Sequence, residues 1–310
     1  MELIRDLESV PDAVKGGVLT VGVFDGVHLG HQAVLGRAVA RAGELGAAAT
    51  VFTFHPHPLE VLRPGQAPPL IQTFGQKLEM MRTLGVAAVI WPRDTAGILA
   101  MTPEGFIRTV ARQALAVRAM IEGRGFHFGA GGVGDPALLE DLGRACGFDV
   151  EFVGAVEVDG RRVSSTRIRE AIAAGRVDEA ARCLGRPYSY VGTVVEGHHR
   201  GARLGYPTVN VSAPRFLRPA EGVYAGRAEV HGCRYAAAIS VGRTPTFGDE
   251  GPVTVEAYLL DFEGELYGEQ VTLEFVAYLR PQQAFTDAEA LKAAMARDCS
   301  RVRAALAGAE

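Results

Sequence analysis

The segment VLTVGVFDGVHLGHQAVL (18–35) carries two histidines on either side of Gly30, just after a break in an apolar run. The run has the pattern of a strand, is interrupted at Asp25 and Gly26, and resumes with helical spacing. A strand that enters a helix through such a turn directs unpaired helix N–H groups at whatever lies above it, which makes an anion site. His28 and His31 could stabilise negative charge developing on an α-phosphate and a departing pyrophosphate.

The histidine pair could instead have either of two simpler roles. The imidazoles could be partly exposed turn residues, or two ligands of a metal ion. A metal is disfavoured because no third ligand stands at a characteristic spacing. The four cysteines are widely spaced and form no Cys-x-x-Cys pair, so we expect reduced, mostly packed thiols and no structural zinc. They are Cys146, Cys183, Cys233 and Cys299.

A second candidate phosphate site lies in RRVSSTRIREAI (161–172). The start of a helix there places Ser165, Thr166 and Arg169 on its first turns. Hydroxyls, free helix N–H groups and a guanidinium together make a phosphate clamp. Taken singly, the segment fits an ordinary helix N-cap with surface arginines equally well. Together with the histidine motif, the phosphate clamp is favoured.

The segment GTVVEGHHRGARLGYPTVN (192–210) indicates a third site. Its glycine-rich loop could hold ATP phosphates through backbone amides and Arg203. Thr208 and Asn210 offer oxygen ligands two residues apart on one face of an extended segment, which suits a Mg²⁺ ion bridging phosphates. A tight turn entering a strand would account for the glycines and Pro207 but leaves Asn210 unexplained.

Glu256 lies in the strand-like segment VTVEAYLLDF (253–262), where the apolar neighbours Val255 and Ala257 would face the other side. A carboxylate in this place could accept the proton of an alcohol that attacks a γ-phosphate. The alternative is an ordinary solvent-facing strand residue.

The elements that position these residues form two groups. From Val18 to about Leu184, apolar strands alternate with amphipathic helices, which predicts an α/β fold with a parallel sheet covered by helices on both faces. Ligands of such sheets bind beyond the carboxyl ends of the strands. From Val191 to Leu279 the pattern is that of strands separated by Gly, Pro and Asp turns, which favours an antiparallel barrel or sandwich. A helix from about Asp287 to Leu306 follows.

Composition narrows the function classes. The chain has 310 residues, 48% hydrophobic and 22% charged, as expected of a globular protein with one large domain or two ordinary ones. A net charge of -4 argues against a nucleic-acid-binding surface. The N-terminal segment lacks the apolar core of a signal peptide and no run approaches a membrane span, so we expect a cytoplasmic protein.

The motifs GVFDGVHLGH, FHPHP and SSTRIRE resemble the adenylyltransferase half of the bacterial bifunctional riboflavin kinase/FAD synthetases, which carries an HxGH motif. The segments HHRGARLGYPTVNV, EGVYAG, SVGRTPTFG and VEAYLLDFEGELYGEQVTLEFV resemble the kinase half. The resemblance covers nearly the whole chain, and two motif sets occur in the family's order. It implies a Rossmann-like nucleotidyltransferase domain over 1–184 and a β-barrel riboflavin kinase domain with a terminal helix over 185–310.

The resemblance implies two reactions: phosphorylation of riboflavin to FMN by ATP, then adenylylation of FMN to FAD with release of pyrophosphate. The implied catalytic residues are Glu256, as general base for the ribityl hydroxyl, with His28 and His31. The implied Mg²⁺ ligands are Thr208 and Asn210. Residues expected to bind ATP and flavin are Gly22, Phe24, Asp25, Gly30, His57, Ser165, Thr166, Arg169, Gly197, Arg203, Gly205, Pro207, Thr208 and Asn210. The expected partners are these small molecules, with no nucleic acid and no membrane. We expect a monomer or a weak homo-oligomer.

One position departs from the family pattern. Relatives usually carry Asn or Asp where EGRGFHFGAGG has Gly125, and the resemblance implies that a polar side chain there helps to hold the nucleotide or flavin. Arg124 or His127 could compensate. An alternative hypothesis is therefore an active kinase whose first domain is a weak or inactive adenylyltransferase, serving in flavin binding or assembly. Another is a nucleotidyltransferase for a different small phosphate with the barrel as an accessory domain, against which the PTVN segment and Glu256 both weigh.

Overall fold

The computed structural model describes residues 1–197, 205–243 and 253–308. Its contacts divide the chain into two compact units. The first comprises Met1–Pro68 and Phe74–Val163, and the second comprises Pro69–Thr73 and Ser164–Glu310. In the described part of the chain, no helix combines the length and apolarity needed to cross a membrane.

The first unit is built on a six-stranded parallel sheet in the order β1-β4-β3-β2-β5-β6. Its strands are β1 (Glu2–Ile4), β2 (Val18–Val21), β3 (Ala49–Phe52), β4 (Ala88–Ile90), β5 (Ala119–Gly123) and β6 (Asp149–Val153). The chain winds outward in one direction from β2 through β3 to β4, and in the other direction through β5 to β6. The sheet therefore has a topological switch point between β2 and β5, where open α/β sheets bind ligands.

Helices cover both faces of this sheet, as the alternating pattern predicted. They are α1 (Leu29–Glu44), α2 (Pro58–Leu62), α3 (Phe74–Thr83), α4 (Thr95–Leu99), α5 (Pro103–Phe106), which continues as a π-helical turn over Ile107–Ala114, and α6 (Pro136–Cys146). On one face Val18 packs with Val34 and Ala38 of α1. On the other, Leu19 packs with Val110. Adjacent residues of β2 thus bury on opposite faces, which is why the strand is apolar apart from the buried Thr20.

Three short strands of the first unit were not predicted. The edge strand β1 has three residues, only one of them buried, which is too short for a periodic signal. A small antiparallel hairpin follows β6, formed by β7 (Glu157–Val158) and β8 (Arg161–Arg162). It brings the guanidinium of Arg162 close to Gly125.

The second unit contains a closed antiparallel barrel in the order β10-β13-β12-β11-β14-β9. Its strands are β9 (Tyr188–Val195), β10 (Thr208–Ser212), β11 (Gly222–Val230), β12 (Cys233–Arg243), β13 (Val253–Leu259) and β14 (Gln270–Arg280). Of the predicted barrel and sandwich, the barrel is confirmed. Alternate residues of β13 fill its interior, among them Val255 and Ala257, while Glu256 points outward.

The described residues of this unit also form three helices: α7 (Ser165–Ala173), α8 (Val177–Leu184) and α9 (Ala288–Ala307). Val302 of α9 packs on Ala225 and Leu260 of the barrel wall. The helix is also tied by an ion pair in which the Arg280 guanidinium donates to both oxygens of Asp298, with Nη2 at 2.7 Å. Because Asp298 is buried, this pair ties α9 to the end of β14.

Candidate active sites

The histidine pair lies where β2 gives way to α1. His28 is the N-cap of α1, and its Nδ1 accepts the backbone N–H of His31 at 3.2 Å. The two rings stack with centroids 3.6 Å apart. Since Nδ1 of His28 is an acceptor, the neutral ring carries its proton on Nε2. A Cβ on Gly30 would lie 3.1 Å from the His28 ring, so glycine leaves room for this arrangement.

His31 is an uncharged donor–acceptor in this site. Burial lowers its pKa well below the ordinary value, and the nearby His28 and Lys77 add to the effect. Its ring meets the edge of Phe24 with centroids 5.1 Å apart. Its buried Nδ1 has no hydrogen-bond partner among the described residues. Such a position is costly unless a ligand or water satisfies it.

The turn between β2 and α1 is held in an unusual backbone conformation. Phe24 and Val27 have positive φ angles of 51° and 35°, which side-chain-bearing residues rarely adopt. The Val23 carbonyl anchors the turn by accepting from Lys77 Nζ at 2.7 Å and from Thr53 Oγ1 at 3.2 Å. Strain of this kind persists only where surrounding contacts enforce it, and it is common at ligand sites.

Lys77 was not identified from the sequence. It is buried on α3, and burial lowers its pKa to about 8, opposed by the charge of Asp25. Asp25, a predicted binding residue, is itself buried. A lysine in an amphipathic helix gives no sequence signal that its ammonium group turns toward a loop far away in the chain.

A cavity of about 320 Å³ opens beside this turn. Gly22 lines it, as does Pro58, the residue after His57. Most of its wall is apolar and aromatic, which suits a flat ring system. The aromatic lining residues are Phe54, Phe106, Phe126 and Phe128. His57 caps α2, with its Nδ1 accepting the Leu59 N–H at 3.1 Å.

Gly125 and His127 both line this cavity. A Cβ on Gly125 would lie 3.1 Å from Nη2 of Arg162, at the end of β8. The guanidinium of Arg162 therefore occupies the space beside the missing side chain. Arg124 and His127 were the substitutes expected from the sequence; the structure adds Arg162, which comes from a hairpin 37 positions further on.

The segment with Ser165, Thr166 and Arg169 belongs to the second compact unit, at the start of α7. The N-cap is Ser164, whose Oγ accepts the Arg167 N–H at 3.2 Å. Ser165 and Thr166 follow in the first turn. Arg169 Nε donates to the Pro69 carbonyl at 3.0 Å. This first turn is a capped helix N-terminus with hydroxyls beside it, which is compatible with a phosphate clamp and with an ordinary N-cap alike.

The candidate kinase residues form a row across the barrel wall. Asn210 on β10 lies directly opposite Glu256 on β13, and Glu256 lies directly opposite Ser240 on β12. Residues opposite each other in antiparallel strands point to the same face. Thr208, two residues before Asn210, shares that face. Gln282 Nε2 donates to Ser240 Oγ at 2.7 Å at the end of the row.

Two cavities adjoin this row. One of about 190 Å³ lies between the barrel wall and α9, and Thr208, Glu256 and Ser240 line it. The other, of about 500 Å³, is lined by Asn210, Gly197 and other residues. A Cβ on Gly197 would lie 1.9 Å from Nδ2 of Asn210, so only glycine permits the Asn210 amide in this place.

The donor set fits a magnesium ion held chiefly by substrate. The described residues contain no group of three or more His, Cys, Asp or Glu that could hold a metal. Thr208 and Asn210 offer a hydroxyl and an amide oxygen on one strand face, and Mg²⁺ typically takes few protein oxygens together with phosphates and waters. Gly205, with φ of 83°, and Pro207 lead into this strand. Arg203 lies outside the described residues.

Two family profiles match the chain. The family described as FAD synthetase matches residues 10–167, and the family described as Riboflavin kinase matches residues 184–306. Together they account for both predicted halves, in the predicted order.

Individual relatives match over nearly their whole length. The chain is 37% identical to a protein of Pseudomonas fluorescens named bifunctional riboflavin kinase/FMN adenylyltransferase, over 98% of this chain and 97% of that protein. Proteins of the same name from Listeria monocytogenes and Escherichia coli are 35% and 34% identical, covering 94% and 96% of this chain and 93% and 96% of those proteins.

A solved structure has the same fold. The crystal structure titled as a macrolide-efflux protein from Streptococcus pneumoniae superposes with a TM-score of 0.87 at 28% identity, covering 97% of this chain and 98% of that one. The activity in that title belongs to that protein. For this chain, the superposition establishes that the two-unit architecture is shared.

Proposed function

The chain belongs to the bifunctional riboflavin kinase/FMN adenylyltransferase family, and from that premise we propose which of its residues carry out the two reactions. The enzyme phosphorylates riboflavin to FMN with ATP and then transfers AMP from ATP to FMN, which gives FAD and pyrophosphate. No finding favours an inactive first half. Both reactions depend on positioning and charge stabilisation.

For adenylylation, FMN places its ring system in the aromatic cavity of the first unit. The N-terminus of α1 and the stacked pair of His28 and His31 meet the triphosphate. As the FMN phosphate attacks the α-phosphorus, charge moves onto the departing pyrophosphate, and the N–H donors of the two imidazoles stabilise that charge. The supporting observation is the stacking of His31 on His28, the N-cap of α1, beside the switch point. Ser165, Thr166 and Arg169 are proposed to bind phosphate as well.

For phosphorylation, riboflavin enters the cavity between the barrel wall and α9. Glu256 accepts the proton of the terminal ribityl hydroxyl as its oxygen attacks the γ-phosphorus of ATP, and ADP leaves. ATP occupies the larger cavity, next to Asn210 and Gly197. The supporting observation is the direct pairing of Asn210 and Glu256, which brings the phosphate-side and alcohol-side residues together.

We propose Mg²⁺ for both reactions, with Thr208 and Asn210 as the protein ligands in the kinase. When bound, the ion neutralises charge on the transferring phosphates. Thr208 and Asn210 would hold the ion at one strand face, and Glu256 on the neighbouring strand would accept the hydroxyl proton.

We propose that residues 1–184 carry out the adenylyltransferase reaction and that residues 185–310 carry out the kinase reaction. We also propose that the enzyme works in the cytoplasm as a monomer or weak homo-oligomer, with small molecules as its partners.

One experiment tests the two activities. The protein is incubated with riboflavin, ATP and Mg²⁺, and riboflavin, FMN and FAD are separated by chromatography over time. We expect FMN to appear first and FAD afterwards. FMN without FAD would refute the adenylyltransferase assignment, and neither product would refute both.

A further inference from the structure

Glu122 is a buried acid that the proposed reactions do not use. It lies on β5, is 2% exposed, and accepts the backbone N–H of Val21 on Oε1 at 2.7 Å. Burial raises the pKa of this carboxyl well above its usual range, and the hydrogen bond from Val21 opposes the shift only in part. Burial therefore disfavours the charged form of Glu122.

The hydrogen bond marks a place where the sheet opens. The N–H groups of Val18 and Gly22 donate toward the β3 side of β2, so the N–H of Val21 faces β5. The β2–β5 pairing extends only to Leu19, opposite Met120. If the two strands stayed paired beyond Leu19, the Val21 N–H would donate to a backbone carbonyl of β5. It donates to the Glu122 carboxyl instead.

This opening coincides with the topological switch point of the sheet. Val21 and Gly22, at the end of β2, line the aromatic cavity, and so do Gly125 and Phe126, which follow β5. Glu122 connects the two segments, because it bonds to the first and lies three residues before the second. A continued ladder would bring the strands to about 4.8 Å and narrow the crevice.

We propose that Glu122 is a positioning residue for FMN adenylylation, whose carboxyl group holds the ends of β2 and β5 at the separation that shapes the flavin cavity. The proposal rests on the assignment of that cavity to FMN. An apolar side chain in this place would leave the Val21 N–H buried and unpaired, and the strand ends would move to satisfy it.

Three variants of the full chain test the proposal. In Glu122→Gln the amide oxygen still accepts the Val21 N–H, so we expect the KM for FMN to stay within about twofold of wild type. In Glu122→Leu the acceptor is lost, and we expect that KM to rise about tenfold or more while kcat falls less than about threefold. Ile121→Val, at the neighbouring buried position, is the control for a purely structural loss and should leave KM unchanged.

Riboflavin phosphorylation is measured in the same samples and should be unchanged in all three variants. A wild-type KM in a folded Glu122→Leu protein would overturn the proposal, as would a tenfold rise in Glu122→Gln. If Glu122→Leu does not fold, Glu122→Met replaces it, and failure of both to fold would assign Glu122 to stability alone. Failure of the wild type to form FAD would instead refute the underlying function.

Discussion

Asn210 and Glu256 lie directly opposite each other on neighbouring strands of the barrel, although 46 positions separate them in the chain. Their side chains therefore share one face, and Thr208 joins them there. This pairing places a carboxylate beside the oxygen donors proposed for Mg²⁺. Substitution of Glu256 is therefore the most direct test of the proposed kinase site.

Glu256→Gln should reduce riboflavin phosphorylation by about 10² to 10⁴, because the amide keeps the size of the side chain but cannot take the hydroxyl proton. FMN supplied from outside should still be converted to FAD. The measurement is the rate of FMN formation from riboflavin. Glu229→Gln, on β11 of the same barrel, is the control and should phosphorylate normally. Normal phosphorylation by Glu256→Gln would remove Glu256 from the mechanism.

His28 has two separable roles, as a helix cap and as a phosphate donor. His28→Asn keeps a capping side chain but removes the imidazole, so FAD formation should fall by about 10² to 10³ with little change in Tm. His28→Ala should lose the cap as well, at a cost of about 0.5–2 kcal/mol in unfolding free energy.

The double variant His28→Ala/His31→Ala should accumulate FMN and form almost no FAD. FAD formation and Tm are measured for each variant. If His28→Asn makes FAD at the wild-type rate, His28 acts only as a helix cap; if the double variant does so too, the pair is structural.

Gly125 and Arg162 should behave as a coupled pair, because the Arg162 guanidinium lies where a side chain on residue 125 would begin. Arg162→Ala should raise the KM for FMN, and Gly125→Asn should recover part of the loss in that background. In the wild-type background Gly125→Asn should have a smaller effect, since the space is already filled. The double-mutant cycle should give an interaction energy of about 0.5–3 kcal/mol. Additive effects would show that the two positions act independently.

Lys77 should make stability depend on pH in the alkaline range. Burial lowers its pKa to about 8 from the ordinary 10.5, so the unfolded chain binds this proton more tightly. Stability should therefore rise between pH 8 and 10.5, by about 3 kcal/mol at 1.36 kcal/mol per pH unit. The measurement is the difference in unfolding free energy between wild type and Lys77→Met at several pH values. A difference that stays constant with pH would contradict this account.

A fragment of residues 185–310 should phosphorylate riboflavin, because every residue proposed for the kinase reaction lies within it. It should also melt at a lower temperature than the full chain. The fragment loses α7, α8 and residues 69–73, and with them two partners of the largely buried Arg186, which donates to Gln72 Oε1 at 3.0 Å and to the Leu184 carbonyl at 3.2 Å. Turnover at low temperature and the Tm are measured. A folded fragment without kinase activity would contradict the proposed boundary.

The sequence by itself determined the two architectures and the motifs at their ligand sites. Alternating strands and helices predicted the parallel sheet with helices on both faces, and regularly spaced strands predicted the barrel, because these periodicities reflect which faces must be buried. The position of His28 and His31 at a junction between a strand and a helix was also predictable, since local backbone signals mark such a junction.

Only the tertiary structure decided which distant residues serve those motifs. Glu122 reaches Val21, Lys77 reaches the Val23 carbonyl, and Arg162 fills the space at Gly125, each across a long stretch of chain. The pattern of a strand or helix reports the burial of its own side chains and carries no information about their partners. Sheet order, strand register and the parting of β2 from β5 set those partners, and they arise from packing of the whole unit.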